Sequence, residues 1–245
     1  MSSVPTTRSQ QDALAKLEAA LGYSFERQEL LHRALTHKSF SKQHNERLEF
    51  IGDAVLGYLV GIMLYRRDEA LAEDSLSLMR AKLVRGSTLA EIAKEIGLAE
   101  FLRLGSGERK SGGRQRSSIL ADCLEAVIGA VHEDGGIEPC AALVEKLFAQ
   151  RVARLDPEDL KDAKTRLQEI LQGAGLPLPE YAVEEVAGAD HQRMYTVQCC
   201  VNGLELTCRA SAASRRGAEQ AAAAAALEAP QLASLIGNSE IPDER

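Results

Sequence analysis

At 245 residues and 45% hydrophobic content the chain can bury a sizeable core in one large or two modest domains, while its formal net charge of −7 argues against a protein that coats nucleic acid through bulk basicity. The longest apolar run, Ala54 to Tyr65, has 12 residues, too few to span a bilayer, and the first residues lack a basic-then-apolar signal pattern. Five cysteines, an odd number without CxxC spacing, suggest neither a disulfide framework nor a zinc ribbon, so buried free thiols in a reducing cytoplasm are expected.

Residues 10–155 read as helix after helix. QDALAKLEAALG ends at Gly22, a suitable C-cap, and RQELLHRALTH follows. NERLEFIGDAVLG (45–57) begins a helix that runs on through LVGIMLY to Tyr65, and SLSLMRAKLVRGSTLAEIAKEIGL breaks near Gly86. A polar, Gly-rich loop, GSGERKSGGRQRSS, leads into ILADCLEAVIGAVHEDGG, and EPCAALVEKLFAQRVARL closes the region. No alternating strand pattern interrupts these segments, so an all-α domain is expected over 10–155. DPEDLKDA (156–163) is charged, contains Pro157 and has no apolar face, as a linker does. Beyond it the order is KTRLQEILQGAG as a helix, then EYAVEEVA, MYTVQCCV and LELTCRAS as strands, then SRRGAEQAAAAAALEA as a helix. Asn202-Gly203 between the last two strands is a strong hairpin signal. Residues 164–229 therefore make a small α+β module of order α-β-β-β-α, and residues 230–245 read as a tail.

The helix over 45–65 poses a chemical problem. It is apolar nearly all round, which is normal for a buried helix, yet Glu46, Glu49 and Asp53 stand on it at spacings of three and four. At about 100° per residue the three carboxylates share one stripe about 60° wide. A second pair, Asp122 and Glu125, lies three apart among Ile, Leu, Ala and Val in ILADCLEAVIGA. Two apolar helices that each carry a carboxylate stripe are expected to turn the stripes toward one another. Facing carboxylates repel unless they are protonated or bridged by cations, and hard divalent ions such as Mg²⁺ prefer oxygen ligands. Carboxylate-bridged metals serve either di-iron redox chemistry or phosphoryl transfer. The first wants Glu-x-x-His motifs in helix bundles, and neither stripe has one; the second needs only hard ions that stabilise the attacking and leaving oxygens. The Gly-rich loop is not a P-loop, because Lys110-Ser111 follows Arg109 rather than Gly.

NERLEFIGDAVLG resembles the signature stretch of the ribonuclease III family, endonucleases of double-stranded RNA. ALTHKS (34–39), LRLGSGERKSGGRQRSSILADCLEAVIGA (102–130) and KDAKTRLQEILQG (161–173) extend the likeness in order and spacing, so that it covers residues 12 to 229. The resemblance implies that Glu49, Asp53, Asp122 and Glu125 surround catalytic Mg²⁺, with Mn²⁺ as a substitute, and that Asp53 and Glu125 are most closely tied to catalysis. It gives Glu46 and Glu73 supporting acidic roles. It further implies a homodimer with one site per subunit, staggered cuts, 5′-phosphate and 3′-hydroxyl ends, processing of precursor ribosomal RNA and other structured RNAs, and neither a membrane nor an organic cofactor.

Residues 164–229 resemble a double-stranded RNA-binding domain, which reads A-form shape through 2′-hydroxyls and phosphates. By that resemblance Thr165, Gln168 and Glu169 would face one minor groove, His191 the next, and Arg215 and Arg216 the phosphates between. Residues 161–230 hold seven Lys/Arg against nine Asp/Glu, so weak binding by the isolated module is expected. The rival expectations are a non-catalytic RNA-binding regulator on the same fold, and an all-α phosphohydrolase of nucleotides that would have no use for the C-terminal module.

Overall fold

The computed structural model describes residues 8–189 and 192–232, which divide into two compact units meeting at Pro157 and Glu158. The first unit is all helical: α1 (Arg8–Leu21), α2 (Gln28–Ala34), α3 (Glu46–Arg67), α4 (Glu73–Val84), α5 (Gly86–Glu95), the short α6 (Ser106–Lys110), α7 (Ser117–Gly135) and α8 (Ile137–Arg154). Gly22 ends α1 at φ +77°, where a side chain would be strained, and Arg85 is extended (ψ 148°), which separates α4 from α5. The Gly-rich stretch is not a bare loop. It folds into α6 and a 3₁₀ turn at Gly113–Gln115.

Helix α7 is the axis of this unit. Ile119, Leu120, Ala121, Cys123, Leu124, Ala126, Val127, Ile128, Ala130 and Val131 are all buried, so every side except the one bearing Asp122 and Glu125 is covered by neighbours. Its most extensive partner is α3, which contributes Leu48, Leu56, Leu59, Val60 and Leu64 to the core. Where the two helices cross, glycine faces glycine. A Cβ on Gly52 would collide with the Glu125 carbonyl oxygen and stand 3.0 Å from the Gly129 amide nitrogen. A Cβ on Gly129 would collide with the Leu48 carbonyl oxygen and stand 3.0 Å from the Gly52 amide nitrogen. The backbones are therefore in direct contact. Asp134, near the end of α7, closes the other side of the unit by accepting from the Tyr23 hydroxyl (2.9 Å) and from the Glu26 and Arg27 amides (2.8 and 3.0 Å).

One half of α3 packs into the core of the unit, and the other half is open. Phe50, Tyr58 and Tyr65 are 79%, 60% and 71% exposed and lie along the face turned away from α7.

The second unit places α9 (Ala163–Gly173) and α10 (Arg215–Leu227) on one face of an antiparallel sheet of β1 (Glu180–Ala187), β2 (Met194–Val201) and β3 (Leu206–Ala212), in that order. Asp162 caps α9 by accepting from the Thr165 amide (2.9 Å), and Ser214 caps α10 by accepting from the Gly217 amide (3.1 Å). The alanine run has a packing reason: Ala218, Ala222, Ala223 and Ala226 form a fully buried stripe, which sets α10 close to Cys199, Val201 and Leu206. The hairpin differs from the two-residue turn that Asn202-Gly203 suggests. Val201 pairs with Leu206, the loop spans Asn202 to Glu205, and it is Glu205 that takes the left-handed conformation (φ 49°). A Cβ on Gly203 would lie 2.7 Å from the tip of the Leu176 side chain, which could turn aside.

Gly129→Ala should force α3 and α7 apart. Overpacking of a rigid backbone contact costs about 3 kcal/mol or more, so urea unfolding should show a lowered midpoint, and stabilisation of the protein by divalent cations should shrink with it. A variant as stable as wild type would mean that the crossing is not tight.

Candidate functional site

Because α3 and α7 touch at Gly52 and Gly129, the acids on either side of that contact converge. Glu49 comes from α3, Asp122 and Glu125 from α7, and one carboxylate oxygen of each lies within 4.8 Å of the other two. All three are half-buried. Asp53, one turn after Glu49, is exposed at the edge of the triad and acts electrostatically on both Glu125 and Glu49.

The electrostatics record the crowding. Burial, then the charges of Asp53, Glu49 and Asp122, push the Glu125 carboxyl up to about 8. Glu49 is raised by burial and then by Asp122, and Asp122 is raised by burial against the opposing charges of His37 and Lys38. Glu46 behaves differently. Its carboxylate receives the Lys38 ammonium at 3.1 Å, which lowers its pKa, and it is exposed rather than joined to the triad. Glu73 stands at the start of α4, where it accepts the Ser77 hydroxyl at 2.7 Å, and does not belong to the triad either.

Lys38 and His37 are site neighbours that spacing alone does not single out. They sit on a turn pinned to the strand-like segment before the Gly-rich stretch: the His37 amide donates to the Arg103 carbonyl (3.1 Å), the Arg103 amide to the Leu35 carbonyl (2.8 Å), and the Gly105 amide to the Ser39 hydroxyl (3.0 Å). The only sequence signal was the presence of ALTHKS among the matching stretches. The glycine pair was equally invisible, because a helical glycine reads as a cost rather than a contact.

A set of oxygen donors alone, half-buried, convergent and raised in pKa by burial and then, for Glu125 and Glu49, by the charges of neighbouring acids, fits a hard divalent cation. Glu49, Asp122 and Glu125 would hold it, with Asp53 beside them.

In the second unit, Thr165 and Glu169 are exposed on α9 and Gln168 is half-buried, while Arg215 and Arg216 are exposed in the first turn of α10. Glu169 is paired with Lys161 at 2.6 Å. His191 lies outside the described residues.

Residues 27–152 match the Ribonuclease-III-like family, and residues 163–229 match the double-stranded RNA binding motif. The chain is 50% identical to Ribonuclease 3 of Proteus mirabilis over 213 residues, which cover 86% of this chain and 94% of the relative. It is 49% identical to Ribonuclease 3 of Idiomarina loihiensis over 216 residues, covering 88% and 94%. Among solved structures, the nuclease domain of ribonuclease III from Campylobacter jejuni, described for structural flexibility in a region involved in dimer formation, superposes with a TM-score of 0.53 at 45% identity. That match covers 56% of this chain and 99% of the domain. A second structure of the Campylobacter nuclease domain, at 2.2 Å resolution, gives a TM-score of 0.56 at 42% identity, covering 58% and 98%.

The raised Glu125 carboxyl has a stability consequence of definite sign. An unfolded glutamate ionises near 4.5, whereas the folded one holds its proton up to about 8. Below the lower value both states are protonated and there is no penalty. As pH rises from there the unfolded chain ionises first, so the folded state loses stability until the penalty is complete above the folded pKa. In EDTA, the melting temperature of wild type should therefore fall relative to Glu125→Gln between pH 5 and pH 8.5, and added Mg²⁺ should raise it more at the alkaline end. A pH-independent difference between the two proteins would contradict the clustered site.

Proposed function

The chain belongs to the ribonuclease III family and is an endoribonuclease of double-stranded RNA, and on that premise we propose that it cuts with Mg²⁺ held by Glu49, Asp122 and Glu125. The observation that carries this reading is the convergence of those three carboxylates across the α3–α7 contact. Mn²⁺ is the substitute cation. Bound divalent cations make water more acidic and offset charge on the phosphate and leaving oxygen. The chain's own residues prepare for that chemistry. Glu125, whose pKa is pushed up to about 8 by burial and its neighbours' charges, would bind a cation as the carboxylate, Asp53 adds negative charge at the open side, and Glu46 holds Lys38 at the rim. The products are 5′-phosphate and 3′-hydroxyl ends with staggered cuts, and the substrates are precursor ribosomal and other structured RNAs.

A homodimer accounts for the outer face of α3. Aromatic residues are only 4% of the chain, yet three of them, Phe50, Tyr58 and Tyr65, stand exposed along one helix. Such an apolar row on a monomer is unusual, and the Campylobacter nuclease domain is described in connection with dimer formation. By length and composition α3 could also cross a membrane. The buried half of the helix, packed on α7 and carrying a carboxylate of the cluster in its first turn, favours the dimer and no membrane. No organic cofactor is required, and five free cysteines suit the cytoplasm.

Glu125→Gln keeps the shape of the side chain and removes one ligand charge. Cleavage of a long RNA duplex in limiting Mg²⁺ should fall by roughly two orders of magnitude or more, while duplex binding in Ca²⁺ stays within a few-fold. Glu138→Gln, exposed at the start of α8, should cut as wild type does. Near wild-type cutting by Glu125→Gln would reject the metal site, and binding without cutting by wild type would make the protein a regulator instead.

Phe50→Asp should convert the dimer to a monomer in light scattering coupled to gel filtration. A variant that stays dimeric would place the interface elsewhere.

A further inference from the structure

The cations of the RNA-binding unit are largely spoken for. The Glu219 carboxylate, on the first turns of α10, takes the Lys164 ammonium on one oxygen (2.6 Å) and the Arg215 guanidinium on the other (2.9 Å). Lys161 is shared between Glu158 (2.7 Å) and Glu169 (2.6 Å). Arg209 is paired with Glu184 at 2.7 Å, on the sheet face that points away from α10. By contrast Arg166 and Arg216 make no ion pair among the described residues, though Arg216 is near enough to Asp162 to act on its carboxyl electrostatically.

Glu219 differs from an ordinary surface acid in how firmly it is placed. Its side chain is only 13% exposed, whereas Arg215 beside it is 66% exposed. The next residue, Gln220, accepts from the Lys164 amide at 3.3 Å, which ties the start of α9 to α10, and the Lys164 ammonium also lies 4.3 Å from the centre of the Tyr181 ring. The carboxylate is thus fixed between two cations from two helices, and its two oxygens accept from them as the oxygens of a phosphate can.

We propose that Glu219 acts as an internal stand-in for an RNA phosphate, holding Lys164 and Arg215 and so limiting how many backbone phosphates this unit engages. The inference rests on the double-stranded RNA-binding reading of residues 163–229. A cation neutralised by a carboxylate adds no net charge to the interface, so it displaces few counterions from RNA, and each phosphate gained or lost changes the slope of log affinity against log salt by about 0.9. Grip by the module is then set by one acid on α10 as much as by its count of lysines and arginines.

The test is binding of a labelled RNA duplex by the full chain in Ca²⁺ across a salt series. Glu219→Gln keeps the side chain's size and frees both cations; the slope should steepen by about one to two units, and affinity should rise roughly three- to tenfold at low salt. Glu184→Gln removes the same charge from the opposite sheet face and should change neither. Circular dichroism verifies that each variant is folded. In case Glu219→Gln does not fold, the wild-type background supplies a second measure: Arg216→Gln should flatten the slope by about 0.9 and Arg215→Gln by less than half of that. Equal effects of those two substitutions, or a folded Glu219→Gln with unchanged slope and affinity, would overturn the inference. Failure of wild type and all variants to bind duplex would instead overturn the RNA-binding reading on which it rests.

Discussion

The contact between Gly52 and Gly129 determines most of what the nuclease unit can do. A helix pair normally keeps its axes apart by the width of interdigitating side chains. Here the backbones meet, and the residues flanking the contact are brought nearer than side chains of that size usually come. Gly52 lies between Glu49 and Asp53 on α3, and its missing Cβ leaves room for the backbone of Glu125 itself. The acids converge because the glycines do. Their repulsion works against the contact, and the buried flanks of α7 and α3 work for it: the core that surrounds the site offsets the strain of the site.

Much of this arrangement was legible in the residues. The spacing of Glu46, Glu49 and Asp53 on one helix and of Asp122 and Glu125 on another predicted two facing stripes, and Glu49, Asp122 and Glu125 do face one another. What spacing could not give was the division of labour within a stripe. Glu46 and Glu49 differ by less than one turn, yet Glu46 is exposed and neutralised by Lys38 while Glu49 is half-buried and raised. That difference comes from a turn eight residues before Glu46, held by hydrogen bonds to residues 103 and 105, and no local pattern encodes a partner so far along the chain. The two apolar faces of α3 pose a related problem. Apolar composition says that a helix wants cover, not which molecule supplies it.

The second unit teaches the same lesson through turns. An Asn-Gly pair is a good signal for a tight hairpin, but here the loop runs from Asn202 to Glu205, and the left-handed position falls on Glu205 rather than on Gly203. The alanine run, open to dismissal as low complexity, is by contrast explained on its buried face by the sheet beneath it. Only alanine is both a strong helix former and thin enough for Ala218, Ala222 and Ala223 to vanish from solvent together.

The two units handle negative charge in opposite ways. In the nuclease unit the carboxylates of Glu49, Asp122 and Glu125 are pressed together without enough cations, and burial raises the cost of their charge. In the RNA-binding unit Glu219, Glu169 and Glu184 are each matched to a lysine or arginine. A polyanion meets repulsion at the first and prior occupancy at the second. An acidic protein that acts on RNA is therefore not a contradiction. With a net charge of −7, its affinity for a polyanion rests on divalent cations drawn from solution and on partners exchanged within a few ion pairs, so its grip should depend on divalent-cation concentration and fall less steeply with monovalent salt than that of a uniformly basic surface.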